Sequence, residues 1–188
     1  METHTLGYKF RIYPSKTQEN LINRTLGCAR FVFNHFLAVR RDEWKANHNS
    51  LTYVKTSKLL TDLKKREETA WLSEADSMAL QESLRNLDRA FQNFFAKRAR
   101  YPRFKSKRSH SQSYRTRNQS GGIRIEGNRI KLPKVGFVKI KQSREFGGRI
   151  LNATVRRAVS GKYFISLCVE TEKESLLRPN GGKQIGID

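Results

Sequence analysis

The hydrophobic period of this chain changes twice, and that limits the folds open to it. Between Leu6 and Tyr13 it is two: Tyr8, Phe10 and Ile12 point one way, Lys9, Arg11 and Tyr13 the other. This is a half-buried strand with a basic outer face, ended by Pro14, which has no N–H for a ladder. After Pro14 the spacing becomes three and four. Ser15 or Thr17 can cap a helix carrying Leu21, Ile22, Thr25, Leu26, Ala29, Phe33 and Leu37, with Gly27 as a break or a close helix contact. The helical pattern continues to Trp44. A loop at 47–50 follows, then an amphipathic stretch from Leu51 to Glu68 with Leu59, Leu60 and Leu63 inside. From Ser120 the period returns to two. Ile123, Ile125, Ile130 and Leu132 flank Glu126-Gly127-Asn128, a hairpin signal, and further runs cover 135–141, 150–159 and 162–170. Strand, helices, then short strands predict an α+β chain: a small β-barrel whose first strand precedes an inserted helical region.

The segment Asp76–Arg117 joins the two textures. Asp76 is a suitable N-cap for a helix that places Ala79, Leu80, Leu84, Leu87, Phe91, Phe94 and Phe95 on one core-facing side. The chain then turns cationic. Lys97, Arg98, Arg100, Arg103, Lys105, Lys107, Arg108, Arg115 and Arg117 occur with no Asp or Glu among them, interleaved with Tyr101, Phe104 and Tyr114. Cations neutralise phosphates and ring faces stack on unpaired bases, so this strap suits a polyanion. The competing reading is a solvated linker whose aromatics anchor it to the helix; mixed charge would be usual for such a linker, and this one is single-signed.

The same sign dominates all 188 residues, with 38 Lys and Arg against 17 Asp and Glu. Such an excess destabilises a compact fold unless a polyanion offsets it, and nucleic acid is the default partner. A membrane surface fits less well, because no apolar stretch approaches spanning length. Cys28 and Cys168 form no C-x-x-C pair, and His4, His35, His48 and His110 have no ligand spacing, which argues against an internal zinc site. Free thiols and no secretory signal give a cytoplasmic expectation.

Other residues stand out by position. Gln81 shares the polar side of its helix with Ser77 and Arg85, and a Gln side chain can pair bidentately with adenine. Tyr53 and Ser57 have the same four-residue spacing. The alternative leaves Gln81 solvated and packs Tyr53 between helices. Tyr114, Arg115 and Thr116 are candidate backbone contacts at the entry to the barrel. Lys139, Lys141, Arg156 and Arg157 give the strands a cationic face.

Several segments, in order, resemble the N-terminal half of the OrfB/TnpB family of transposon-encoded proteins, RNA-guided DNA endonucleases related to type V CRISPR nucleases. They are YKFRIYPSKTQENLINRTLGCARFVFNHFL, DSMALQESLRNLDRAFQNFF with YPRFKSKR, SYRT, IRIEGNRIKLPKVGFVKIK and the closing GID. The resemblance implies a wedge-type barrel with its first strand at 1–14 and the remainder at 119–172. It implies a helical recognition domain and strap at 15–118, and a linker with the first strand of an RNase H-like RuvC domain at 173–188. Guide RNA and target DNA are the implied partners, with Tyr53, Ser57, Gln81 and Arg85 where the motif flanking the target is read. Asp188 matches a metal-binding carboxylate of the family. A full-length relative would use magnesium there, whereas this chain lacks the later acidic residues and the zinc ribbon, so no cofactor is expected in it. Two functions follow: the binding half of an RNA-guided nuclease, or a truncated nuclease-dead module that occupies RNA or DNA. A ribosomal-protein-like RNA binder is a third.

Overall fold

A computed structural model describes residues 3–109 and 112–172. β1 (Thr3–Tyr13) leads at Pro14 into α1 (Lys16–Asn47). Ser15 is the cap: its Oγ accepts from the Gln18 N–H at 3.3 Å while Gln18 Oε1 accepts from the Ser15 N–H at 3.0 Å, a reciprocal box. Gly27 is neither break nor contact. α1 runs through it unbroken, and a Cβ there would meet nothing within 4 Å.

The next helix is shorter than its sequence suggests. α2 spans Tyr53–Leu63, and a 3₁₀ segment covers Glu67–Glu74. The stripe Thr56–Leu60–Leu63 is buried, but Leu59 is 40% exposed, since its neighbour Leu60 takes the core-facing position. Past Leu63 the charged run Lys64-Lys65-Arg66 offers nothing to bury. α3 (Ser77–Phe95) begins at Asp76, whose carboxylate accepts from the Met78 N–H at 3.0 Å and from the Thr116 hydroxyl. It lies beside α1 in the same direction, with Ser83 Oγ donating to the Ala29 carbonyl and Arg40 meeting Asp88. Phe91 is buried, whereas Phe95 is 68% exposed, so the apolar stripe read from the sequence continues one turn beyond the packing.

The strands are β2 (Gln112–Arg117), β3 (Arg124–Glu126), β4 (Arg129–Leu132), β5 (Gly136–Lys141), β6 (Arg149–Arg157) and β7 (Tyr163–Glu172). They form one antiparallel sheet in the order β2-β6-β7-β1-β5-β4-β3. The first strand therefore sits in the middle, among strands that follow the helices. β3 and β4 form the hairpin expected around Gly127, whose φ is +56°.

The barrel does not close. β2 and β3 are the two edges of an open sheet, and β3 has only three residues to offer. The sheet is nevertheless curled. Laid flat, its edges would stand six strand spacings apart, about 29 Å. The chain from Arg117 to Arg124 reaches at most about 25 Å, and a turn closed by the Gly122 N–H on the Gln119 carbonyl at 2.9 Å shortens it. Asn118 stitches the bend, with Nδ2 donating to the Ile123 and Ile150 carbonyls and Oδ1 accepting from the Ile123 N–H.

Two cores result. The concave face of the sheet packs on the first half of α1 and the start of α3 through Ile22, Leu26, Ala29 and Ala79. The remainder of α1 packs with α2, the 3₁₀ segment and α3 around Phe36, Leu72, Leu80 and Leu84. Among the described residues no helix is long and apolar enough to cross a membrane.

Candidate functional site

The seam between α3 and β2 is built around a buried acid. Glu82 is 4% exposed, on the side of α3 that meets β2. Alternate residues of β2 share a face, so Arg115 and Arg117 both reach it. Arg117 Nε donates to Glu82 Oε1 at 2.6 Å, Arg115 Nε stands 3.8 Å from Oε2, and Arg85 Nε, one turn along α3, stands 3.5 Å from Oε1. Asn152 on β6 holds Arg115 from the other side at 3.1 Å. One buried carboxylate thus gathers three guanidiniums, all of which keep solvent-exposed surface. The cluster carries a net charge of about +2, and guanidiniums offer the fork geometry that suits phosphate and base edges.

Beside it lie two further residues singled out by sequence, Tyr53 and Gln81. The Tyr53 hydroxyl donates to Gln81 Oε1 at 3.2 Å, and the Arg85 guanidinium sits 4.2 Å over the Tyr53 ring. Tyr53 also packs against the helical core, so it is both a helix–helix contact and an orienting partner. The carbonyl oxygen of Gln81 has a second lone pair, so the carboxamide retains bidentate capacity. Ser57, one turn along α2, is half-buried and stands outside this hydrogen-bonded group.

The strap is fastened rather than loose. Asn34 clasps the Lys105 backbone, with Oδ1 accepting from its N–H at 2.8 Å and Nδ2 donating to its carbonyl at 3.0 Å. Tyr101 meets Phe91 and Phe94 edge-on at 5.6 and 5.3 Å, Phe104 lies under Arg41, and Pro102 is buried. The Lys105 ammonium lies 4.1 Å from the Phe33 ring, and desolvation lowers its pKa. Lys97, Arg98, Arg100, Arg103, Lys107 and Arg108 are exposed, and Lys105 too keeps solvent-accessible surface. Between α1, α3, the strap and β2 opens a groove of about 510 Å³, whose lining includes Arg30, Lys105, Gln112 and Arg115. Tyr114 also lines it but is 5% exposed, with burial raising its pKa; it is a core ring with no free face for a base.

The strand cations divide between the two faces of the sheet. Lys139, Lys141 and Arg156 lie outside, whereas Arg157 turns toward α1 and reaches Asn23 at 3.4 Å. Cross-strand pairing aligns Arg156, Phe164, Arg11 and Lys141 in one row and Tyr13, Lys139 and Arg129 in the next. Lys9 rests 5.1 Å over Phe164 and Arg11 4.7 Å over Tyr13. Asp188 lies outside the described residues. Among those that are described, no three His, Cys, Asp or Glu side chains cluster to hold a metal ion.

Comparison with known proteins adds relatives. The helix-turn-helix domain of IS605-type OrfB proteins matches residues 1–49. "Putative RNA-guided DNA endonuclease InsQ" of Escherichia coli K12 is 37% identical over 183 residues, 96% of this chain. Over the matched residues this chain is homologous to OrfB/TnpB-like putative RNA-guided endonucleases. A "Putative RNA-guided DNA endonuclease" of Streptomyces pristinaespiralis is 39% identical over 167 residues. The homologue spans less than half of either relative, 44% and 41% of their lengths. "Virulence protein VsdF" of Salmonella dublin is 37% identical over 108 residues, which make up 91% of that protein. The OrfB helix-turn-helix match falls on β1 and a single uninterrupted helix, so its described residues contain no turn between two helices.

Sequence reasoning about this OrfB/TnpB homologue missed Glu82, and it placed Arg117 only in the cation run. One signal was available: Arg115 and Arg117 have strand spacing, so both project from one face. The partner, an acid 33 positions before Arg115, is legible only once β2 is placed against α3.

Proposed function

We propose that this chain is the nucleic-acid-binding portion of a transposon-associated, RNA-guided DNA endonuclease, which grips guide RNA and target DNA in the cytoplasm. The observation that carries this reading is the set of Arg85, Arg115 and Arg117 gathered on buried Glu82 beside the Tyr53–Gln81 pair. Its chemistry suits a duplex: guanidiniums for phosphates, and an oriented carboxamide for a base edge. Residues 15–118 would supply this contact and the strap, and the basic outer face of the sheet would supply a second phosphate track. The names of the E. coli and Streptomyces relatives support the same class of activity. Binding is the part of that activity we assign to this stretch.

The test is a gel-shift comparison of the chain with its Arg85→Ala/Arg117→Ala double variant on duplex DNA and on structured RNA. The double variant should bind duplex at least tenfold more weakly, with a shallower salt dependence. Equal binding by both proteins would refute the assignment.

A further inference from the structure

At the far end of the helical layer, away from the Glu82 seam, α1 and α3 finish together beside the strap. The floor of that end is aromatic. Trp44 is 54% exposed, Phe95 68% and Tyr101 42%, with Phe94 half-buried between them. The rings are mutually braced: Phe94 lies 5.3 Å from Phe95 and 5.3 Å from Tyr101. They border a groove of about 360 Å³ that Arg41 and Lys45 also line. A core stripe would not leave these faces to water, and the apolar pattern of α3 extends a turn further than the packing uses.

Charge decides what fits. Tyr101 belongs to the strap, in which 97–117 contains no Asp or Glu. Among the lining cations Arg40 is paired with Asp88 and Arg41 with Asp42 at 2.8 Å, and Glu43 accepts from the lining Asn49 at 3.2 Å. But Lys45 lines the groove too, and Lys97, Arg98 and Arg100, exposed and adjacent in sequence to Phe95 and Tyr101, keep this end of the molecule net cationic. A second copy of this chain, with net charge +21, would bring the same sign to the same rim. An apolar helix would satisfy the floor and leave the rim without counter-charge. A floor of exposed rings under a cationic rim matches a polyanion whose repeating units carry flat apolar groups. We infer that this groove is a separate site for single-stranded nucleic acid, with unpaired bases stacking on Trp44 and Phe95 and phosphates on Lys45 and the strap. A duplex keeps its bases stacked on each other and has no ring face to offer here.

Trp44 reports on its own site. In a Trp71→Phe variant it is the remaining tryptophan, and titration with a short oligothymidylate should quench its emission saturably, while a duplex of the same length should not. Phe95 is exposed, so Phe95→Ala should fold. It should weaken single-strand binding by roughly 5- to 150-fold, the effect of losing one stacking partner, and leave duplex binding unchanged. Phe95→Leu, which keeps apolar area without a ring, should behave like Phe95→Ala. The Arg85→Ala/Arg117→Ala variant should keep the quench, which separates this site from the Glu82 seam. The inference is overturned if duplex quenches Trp44 as single strand does, if Phe95→Leu binds like the parent, or if polyglutamate displaces the oligothymidylate and quenches equally. It is also overturned if Trp44 emission shifts with protein concentration alone, which would mark an interface between copies.

Discussion

Glu82 carries the most consequence of any single side chain. Removing an acid from a polyanion-binding surface raises its net positive charge, and charge counting alone gives tighter binding. If the three arginines act because Glu82 orients them, Glu82→Gln should fail to tighten duplex binding and should lower Tm, as three guanidiniums lose their common partner. A tighter complex from that variant would remove the positioning role. Gln81→Ala tests the neighbouring contact: it should leave overall duplex affinity nearly intact and relax base preference at one position, worth about 1–3 kcal/mol. His35 gives a pH signature. It packs against Phe31 and Phe36, and burial, with Arg66 second, lowers its pKa. The folded form therefore disfavours the imidazolium, so this residue's contribution is present above its ordinary value of 6.5 and declines as pH falls through it. Between about pH 7.5 and 5.5 the parent should lose more Tm than His35→Gln does.

The elements differ in how readily the sequence announces them. β1, α1, α3 and the β3–β4 hairpin were legible because each has a strict period bounded by chemical punctuation: Pro14, the Ser15 box, Asp76 and Gly127. The end of α2 was not, since Leu59 and Leu60 both satisfy helical spacing and only packing chooses between them. The openness of the sheet was also hidden; alternation fixes which face is buried and says nothing about whether two edges meet. The candidate site was half legible. Tyr53, Gln81 and Arg85 share recognisable faces, while their assembly around Glu82 depends on how β2 docks on α3. That docking rests on Asp76, which is 5% exposed and joined to a Thr116 hydroxyl that is 1% exposed. Asp76→Ala should cost about 2–3 kcal/mol in denaturant unfolding, combining a lost cap with an orphaned buried hydroxyl. Adding Thr116→Val should recover part of it, and simple additivity of the two substitutions would contradict the coupling. In the β5–β6 connection, Gly148 has φ +113° and its Cβ would lie 2.2 Å from the Glu170 carbonyl oxygen. Gly148→Ala should therefore destabilise by about 1–3 kcal/mol or more.

For the whole molecule, the charge of +21 is the dominant fact. The fold sorts it onto a seam, a strap and the outer face of a curled sheet, and each brings phosphate-compatible groups to the surface. Without a polyanion these charges repel one another, so the free chain should become more stable as salt rises from low ionic strength. Binding should respond in the opposite sense. The most direct measurement is duplex affinity across a salt series, made on the parent and on Arg85→Ala/Arg117→Ala. With about six to ten phosphates contacted, the parent should lose roughly three to five decades between about 50 and 200 mM salt. The double variant should show a shallower slope, reduced by about 2. A parent whose affinity hardly changes across that range, or a variant with the same slope and the same affinity, would contradict the claim that this surface exists to hold a phosphate chain.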